Sequence, residues 1–262
     1  MMLSCCAWAL TGAVEETLPR FVEMGFDRID VRSDLAEVER VQEQIESWQL
    51  RVSCIAASFG MSEGAALSSE DAVAVAAALA HTERGLELGR TLGATTAYVV
   101  AEEEGGGAAL ERYAGSLEQA AELAAELGLK LGVEHLPGRS LPTAAATLGF
   151  LRAVGHPNLC LLLDIGHAQM SGEDPAAVIE AAGERLGYVH LDDNDGENDQ
   201  HLGLLEGVMA EETLVRTFAA LEDCGYDGVV SLELSAELPD PQVALVKSRE
   251  VIERVRAKVA GR

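Results

Sequence analysis

The chain has 262 residues, 48% of them hydrophobic, which is enough apolar material for one large buried core. Nineteen Lys and Arg stand against 44 Asp and Glu, a formal net charge of −25. That field repels phosphate backbones and anionic lipid surfaces, so nucleic-acid and membrane binding are not expected.

In chain order, the first apolar run rich in strand-forming residues is 3–8, and Thr17 with Pro19 just inside reads as the cap of a first helix. Strands are predicted over 28–32 and 51–57, then a helix over 71–92 and a strand over 95–101. A polar loop at 102–107 leads to a helix over 110–127, a strand over 130–135, a helix over 143–154 and a strand over 159–164. A helix over 175–185, a strand over 187–192, a polar loop to 200, a helix over 212–224, a strand over 228–234 and a helix over 241–259 complete the series. Gly25, Gly93, Gly128, Gly155 and Gly225 each follow a helix and shortly precede a strand, where a left-handed glycine ends a helix. Eight strands alternating with helices predict an α/β chain folded as one (β/α)8 TIM barrel over residues 1–262. An open doubly wound sheet is the rival, but Ala9-Leu10-Thr11-Gly12 carries no phosphate-binding glycine fingerprint.

The five cysteines are odd in number and lack a C-x-x-C pair; they read as free, mostly buried thiols of a cytoplasmic protein. The apolar stretch at 1–10 lacks the basic start and the length of a signal peptide or membrane span.

In such a barrel the reactive groups sit at the C-terminal ends of strands. The last four strands end in Glu134, Asp164, His190 and Glu233. Taken alone, each carboxylate could cap a helix and the histidine could be a satisfied core residue. Together on adjacent strands they would gather three charges that need a counter-ion, because an unpaired buried charge is costly. Three carboxylates and an imidazole form a hard, oxygen-rich set suited to one divalent cation: Mn2+, Mg2+ or Co2+ before Zn2+.

Five segments carry a resemblance: 132–138 (GVEHLPG), 161–168 (LLLDIGHA) with 172–175 (GEDP), 188–196 (YVHLDDNDG), 201–207 (HLGLLEG) and 231–234 (SLEL). They resemble the sugar phosphate isomerase/epimerase group of the xylose isomerase-like TIM barrel superfamily, closely in the C-terminal half and mainly in architecture before it. The resemblance implies that Glu134, Asp164, His190 and Glu233 bind one divalent metal and that His167 contacts substrate. By likeness to ketose 3-epimerases, Glu134 and Glu233 also become the acid and base on opposite faces of the substrate. Departures bear on the substrate: no arginine follows the strand-seven histidine between Asp193 and Gln200, and Arg139-Ser140 stands where a second glutamate helps bind ketoses. Strand two ends Asp30-Val31-Arg32, where many relatives carry a Glu.

The chemistry so implied is sugar isomerisation or epimerisation. A glutamate removes a proton beside a ketose carbonyl while a divalent metal stabilises the enediolate, and a proton is returned to carbon. His201 and Arg139 are further candidate substrate contacts, with a loop role and a surface ion pair as their alternatives. Trp8 is a candidate apolar wall, with a core role as its alternative. Asp192 shares a strand face with His190 and is expected to orient it or border the site. The expected partner is a small sugar or polyol, and related enzymes suggest a homo-oligomer. Three rivals are a keto-cyclitol (inosose-type) dehydratase with the same metal, an endonuclease IV-like DNA-repair enzyme and a non-catalytic sugar-binding barrel. The charge and the ends of strands two and three, Arg32 and Ser58 rather than histidine, oppose the endonuclease.

Overall fold

A computed structural model describes residues 1–103 and 105–262; Glu104, inside the loop expected at 102–107, lies outside the described residues. Eight parallel strands form one sheet: β1 Met2–Cys5, β2 Arg28–Arg32, β3 Arg51–Ala56, β4 Thr96–Val100, β5 Lys130–Glu134, β6 Leu159–Asp164, β7 Leu186–Leu191 and β8 Val229–Leu232. Their order, β1-β8-β7-β6-β5-β4-β3-β2, is that of a (β/α)8 barrel. The ring closes between β1 and β2 through a single parallel bridge, Cys6 with Asp30, rather than a ladder. Ser4 reinforces that seam by donating its hydroxyl to Asp30 Oδ1 at 2.8 Å.

The helices around the ring are α1 Val14–Glu23, α2 Val38–Ser47, α3 Ala72–Leu92, α4 Gly107–Glu126, α5 Ala144–Val154, α6 Ile165–Met170, α7 Pro175–Ala182, α8 Glu211–Asp223 and α9 Pro241–Ala260. Their starts follow from capping chemistry. Asp71, Thr143, Asp174 and Asp240 each accept a backbone N–H in the first turn of α3, α5, α7 and α9, with Pro175 and Pro241 just inside. Gly93 and Gly155 end α3 and α5 with φ of 77°, the left-handed geometry expected of them. None of the described helices is long and apolar enough to cross a membrane.

Three local expectations are corrected. Thr17 is not a cap: α1 starts three residues earlier, after Ala13, and Thr17 is buried, donating Oγ1 to Val14 O. Pro19 therefore lies within α1, where it removes one amide from the ladder. Trp8 does not end a strand, because β1 stops at Cys5 and Trp8 sits in a short 3-10 turn, Ala7–Ala9. α2 has no counterpart among the predicted helices; only Val41 and Ile45 of its ten residues are buried, too thin a stripe to stand out.

Four cysteines are free and buried, and Cys224 is exposed at the end of α8. Burial pushes the Cys160 thiol up to about 12, so it stays protonated and inert at neutral pH. A thiol reagent is accordingly expected to titrate Cys224 in the native protein and the other four only in denaturant. Fast native labelling at Cys160, read by peptide mass, would contradict this packing.

Candidate functional site

Strand register brings the last four strand ends together. Asp164 and His190 are paired across β6 and β7, and Glu233, one residue past β8, donates its N–H to Leu191 O of β7. Glu134 closes β5 on the other flank. The result is a cluster in which Glu134, Asp164, His190 and Glu233 each offer a ligand atom, all within 4.8 Å of one another. His190 Nδ1 lies 2.6 Å from Glu233 Oε2 and 3.0 Å from Glu134 Oε1. None of the four is more than 6% exposed.

The charges are poorly balanced by the protein itself. Among the described residues no Lys or Arg pairs with any of the three carboxylates. Burial pushes the Glu134 carboxyl above its ordinary range, against the hydrogen bond from His190. His190 is held above the ordinary imidazole range: burial opposes its charge, but the flanking glutamates outweigh burial. Glu233 is drawn down, because the His190 charge and hydrogen bond overcome its burial. Asp164 Oδ1 caps α6 by accepting His167 N at 2.8 Å, while buried Oδ2 has no hydrogen-bond partner. An orphaned carboxylate oxygen in a ring of acceptors fits a divalent cation held by these four side chains.

Around the cluster lies a supporting shell. Trp8 Nε1 donates to Glu233 Oε1 at 3.0 Å, so the expected apolar wall also fixes a carboxylate. Its ring stacks on Phe59 at 5.9 Å; Phe59 meets Tyr98 edge-on, and Tyr98 in turn meets His190 at 5.3 Å. The far side of the ring is closed by the edge of Tyr188 at 5.7 Å.

A second group of side chains borders the first. His167 Nδ1 donates to His135 O at 3.0 Å, and its Nε2 faces Asp199 Oδ1 at 3.3 Å. His201 Nε2 meets the same oxygen at 3.3 Å, while its Nδ1 lies 2.8 Å from Asp192 Oδ2. His167 is lifted to about 10: burial works against its charge, but Asp164 and Asp199 prevail. Asp192 is lifted to about 8, chiefly by burial and then by Asp164. Burial keeps neighbouring His135 neutral, down to about 4. His201 reaches its place from a left-handed backbone, φ 46°, unusual for a residue other than glycine.

Glu134, Asp164, His190, Glu233, His167, His201 and Trp8 converge. Arg139 is not in contact with that cluster: it pairs with Glu103 at 2.9 Å and lines a cavity of about 910 Å3 with Phe59, Leu67, Glu102 and Leu136. Asp192 borders the site but turns to His201 and Gly166 N rather than to His190.

The family model of the xylose isomerase-like TIM barrel matches residues 19–255. The chain belongs to this family. An L-ribulose 3-epimerase of Methylomonas sp. (strain DH-1) is 26% identical over 251 residues, 90% of this chain and 84% of its own. An inosose dehydratase of Lacticaseibacillus casei is 28% identical over 137 residues, 47% of this chain and 46% of its own. The chain spans about half the length of the first curated relatives it matches. A D-tagatose 3-epimerase-like crystal structure superposes with a TM-score of 0.84 at 20% identity, covering 100% of this chain and 99% of that one; this likeness bears on the fold.

Two residues of the site escape sequence reasoning. Asp199 links His167 to His201, and its signal is the Asp199-x-His201 spacing in a loop otherwise notable for lacking arginine. Asp30 is fully buried beneath His190, accepting from Tyr188 OH at 2.6 Å as well as from Ser4. Burial pushes its carboxyl up, while His190 and the surrounding hydroxyls draw it back.

Gly166, between Asp164 and His167, stands where no side chain fits. A Cβ on Gly166 would collide with the Asp192 carboxylate, which accepts Gly166 N at 3.1 Å. Gly166→Ala is expected to displace Asp192 and with it His201. Overpacking of this kind costs about 1–3 kcal/mol, and site misplacement costs about 10²-fold in kcat. Thermal melting and steady-state kinetics check both; a variant as active as wild type would show that the Asp192–His201 pair is dispensable.

Proposed function

We propose that this barrel is a divalent-metal-dependent sugar isomerase or epimerase, moving a proton at a carbon beside a ketose carbonyl. The observation that carries the reading is the buried Glu134–Asp164–His190–Glu233 cluster, in which one Asp164 carboxylate oxygen has no hydrogen-bond partner. The epimerase relative supports the sugar substrate.

Glu134, Asp164, His190 and Glu233 would hold the cation, with Mn2+ the first candidate and Mg2+, Co2+ or Zn2+ compatible with the donor set. Once bound, it supplies Lewis-acid stabilisation of negative charge developing on substrate oxygen. Glu134 and Glu233 share the proton work: one removes the proton from carbon and the other returns it. Return to the opposite face of the same carbon inverts it; return to the neighbouring carbon interconverts ketose and aldose. Trp8 holds Glu233 by its indole N–H and covers the mouth beside it. His167 offers Nε2 to a substrate oxygen, its ring fixed by the His135 carbonyl, and Asp199 and His201 hold that edge of the site. The acidic surroundings favour a neutral sugar or polyol over an anionic one.

The inosose dehydratase relative favours a second reading, loss of water from a keto-cyclitol after the same first proton removal. The two readings part at the product.

The test uses metal-stripped and Mn2+-reloaded protein with free ketoses and a keto-cyclitol in D2O, followed by NMR. Deuterium incorporation at one carbon with a new sugar epimer or isomer is the expected result; an unsaturated product would mark the dehydratase. Glu134→Gln and Glu233→Gln are each expected to lower turnover by about 10²–10⁴-fold. Full activity in either variant, with metal still bound, would remove that glutamate from the proton path.

A further inference from the structure

We infer that Asp30 is a positioning residue for His190, receiving the Nε2–H of the imidazole so that Nδ1 is free to face the cation. The inference rests on the cation reading above and concerns a residue outside the four ligands.

His190 Nδ1 is committed to the mouth, between Glu134 and Glu233. Nε2 points down the barrel, buried, with no hydrogen-bond partner among the described residues. The polar atom it faces is Asp30 Oδ2, at 3.9 Å. A ligand imidazole carries its one proton on the nitrogen away from the metal, and a carboxylate beneath that nitrogen fixes the tautomer and makes the ring a better donor.

Asp30 is built for such a role. Its Oδ1 is occupied by two hydroxyl donors, Ser4 at 2.8 Å and Tyr188 at 2.6 Å, which hold the carboxylate in one orientation. Oδ2 is left toward His190, with the weak thiol donor of Cys6 at 3.7 Å beside it, and the Ser231 hydroxyl is a further donor to the carboxyl. Tyr188 serves both partners, since its hydroxyl grips Asp30 and its ring edge meets His190. A structural link across the β1–β2 seam needs an acceptor there but no charge: an amide oxygen would take the bonds from Ser4 and Tyr188 equally well. Ionising a carboxyl at the centre of a barrel is costly unless something cationic or strongly donating is opposite it. His190 is that group.

The amide isostere separates the two roles. In Asp30→Asn the Ser4 and Tyr188 bonds and the Cys6–Asp30 backbone bridge persist, while the acceptor facing Nε2 becomes a donor. Isothermal titration of metal-stripped protein with Mn2+ is expected to show affinity lowered by about 10–100-fold, with the melting temperature of the metal-free protein close to wild type. Unchanged Mn2+ affinity in Asp30→Asn would overturn the inference while leaving the cation reading intact. A wild-type protein that binds no Mn2+ would overturn both. An independent readout needs no variant: in Zn2+-loaded wild type, histidine-selective NMR should show a slowly exchanging Nε2–H at His190. A fast-exchanging or absent proton there would overturn the inference even if Asp30→Asn fails to fold.

Discussion

Three carboxylates and one imidazole are forced into a space a few ångströms across, almost wholly away from water, at the open end of a barrel. Water cannot screen them and no described Lys or Arg reaches them, so two glutamates hold the His190 imidazole above its ordinary range and Asp164 keeps one oxygen unsatisfied. Uncompensated burial of this kind persists only where something offsets it. The rest of the mouth is arranged around that tension: Trp8 restrains Glu233, Tyr98 and Tyr188 restrain the imidazole, and Asp164 doubles as the cap of α6.

The barrel explains why the tension can be held. Each of the four side chains comes from a different strand end, and parallel register fixes their relative heights before any side chain is placed; Asp164 and His190 are direct partners in the β6–β7 ladder. The loop beyond β7 is equally determined. Asp193, buried, accepts three backbone N–H groups, from Asn194, Gly207 and Met209, and so folds the segment carrying Asp199 and His201 back over the mouth. The outer group of imidazoles and carboxylates is thereby set by one loop anchored at both ends, and the inner group by the strands.

Most of the fold was legible because it repeats. Apolar runs, helical spacing and closing glycines recur often enough that a mistake at one joint, as at Thr17, does not disturb the count. The inner cluster was legible because strand ends are where a barrel keeps its chemistry, and four successive ends carried ligand-type side chains. What sequence could not supply were contacts across the ring. Asp30 lies on β2 and meets residues of β1 and β7, with nothing in its neighbourhood, Arg28–Arg32, to mark it as more than a strand interruption. Asp199 is hidden in a run of like residues, several of which serve the loop's own backbone; Asp195, for example, accepts from Glu197 N and Asn198 N. Arg139 follows a strand that enters the site, and past the turn at Gly138 it pairs with Glu103, a contact across loops that its own neighbours do not reveal.

The left-handed backbone at His201 has a consequence for how this chain can drift. A side chain in that conformation holds about 1–3 kcal/mol of strain that glycine or asparagine would relieve. Pressure for robustness alone would erase the imidazole, so loop economy and occupancy of the mouth pull this position in opposite directions. Homologues that have abandoned the chemistry but kept the scaffold should be recognisable by a small residue there.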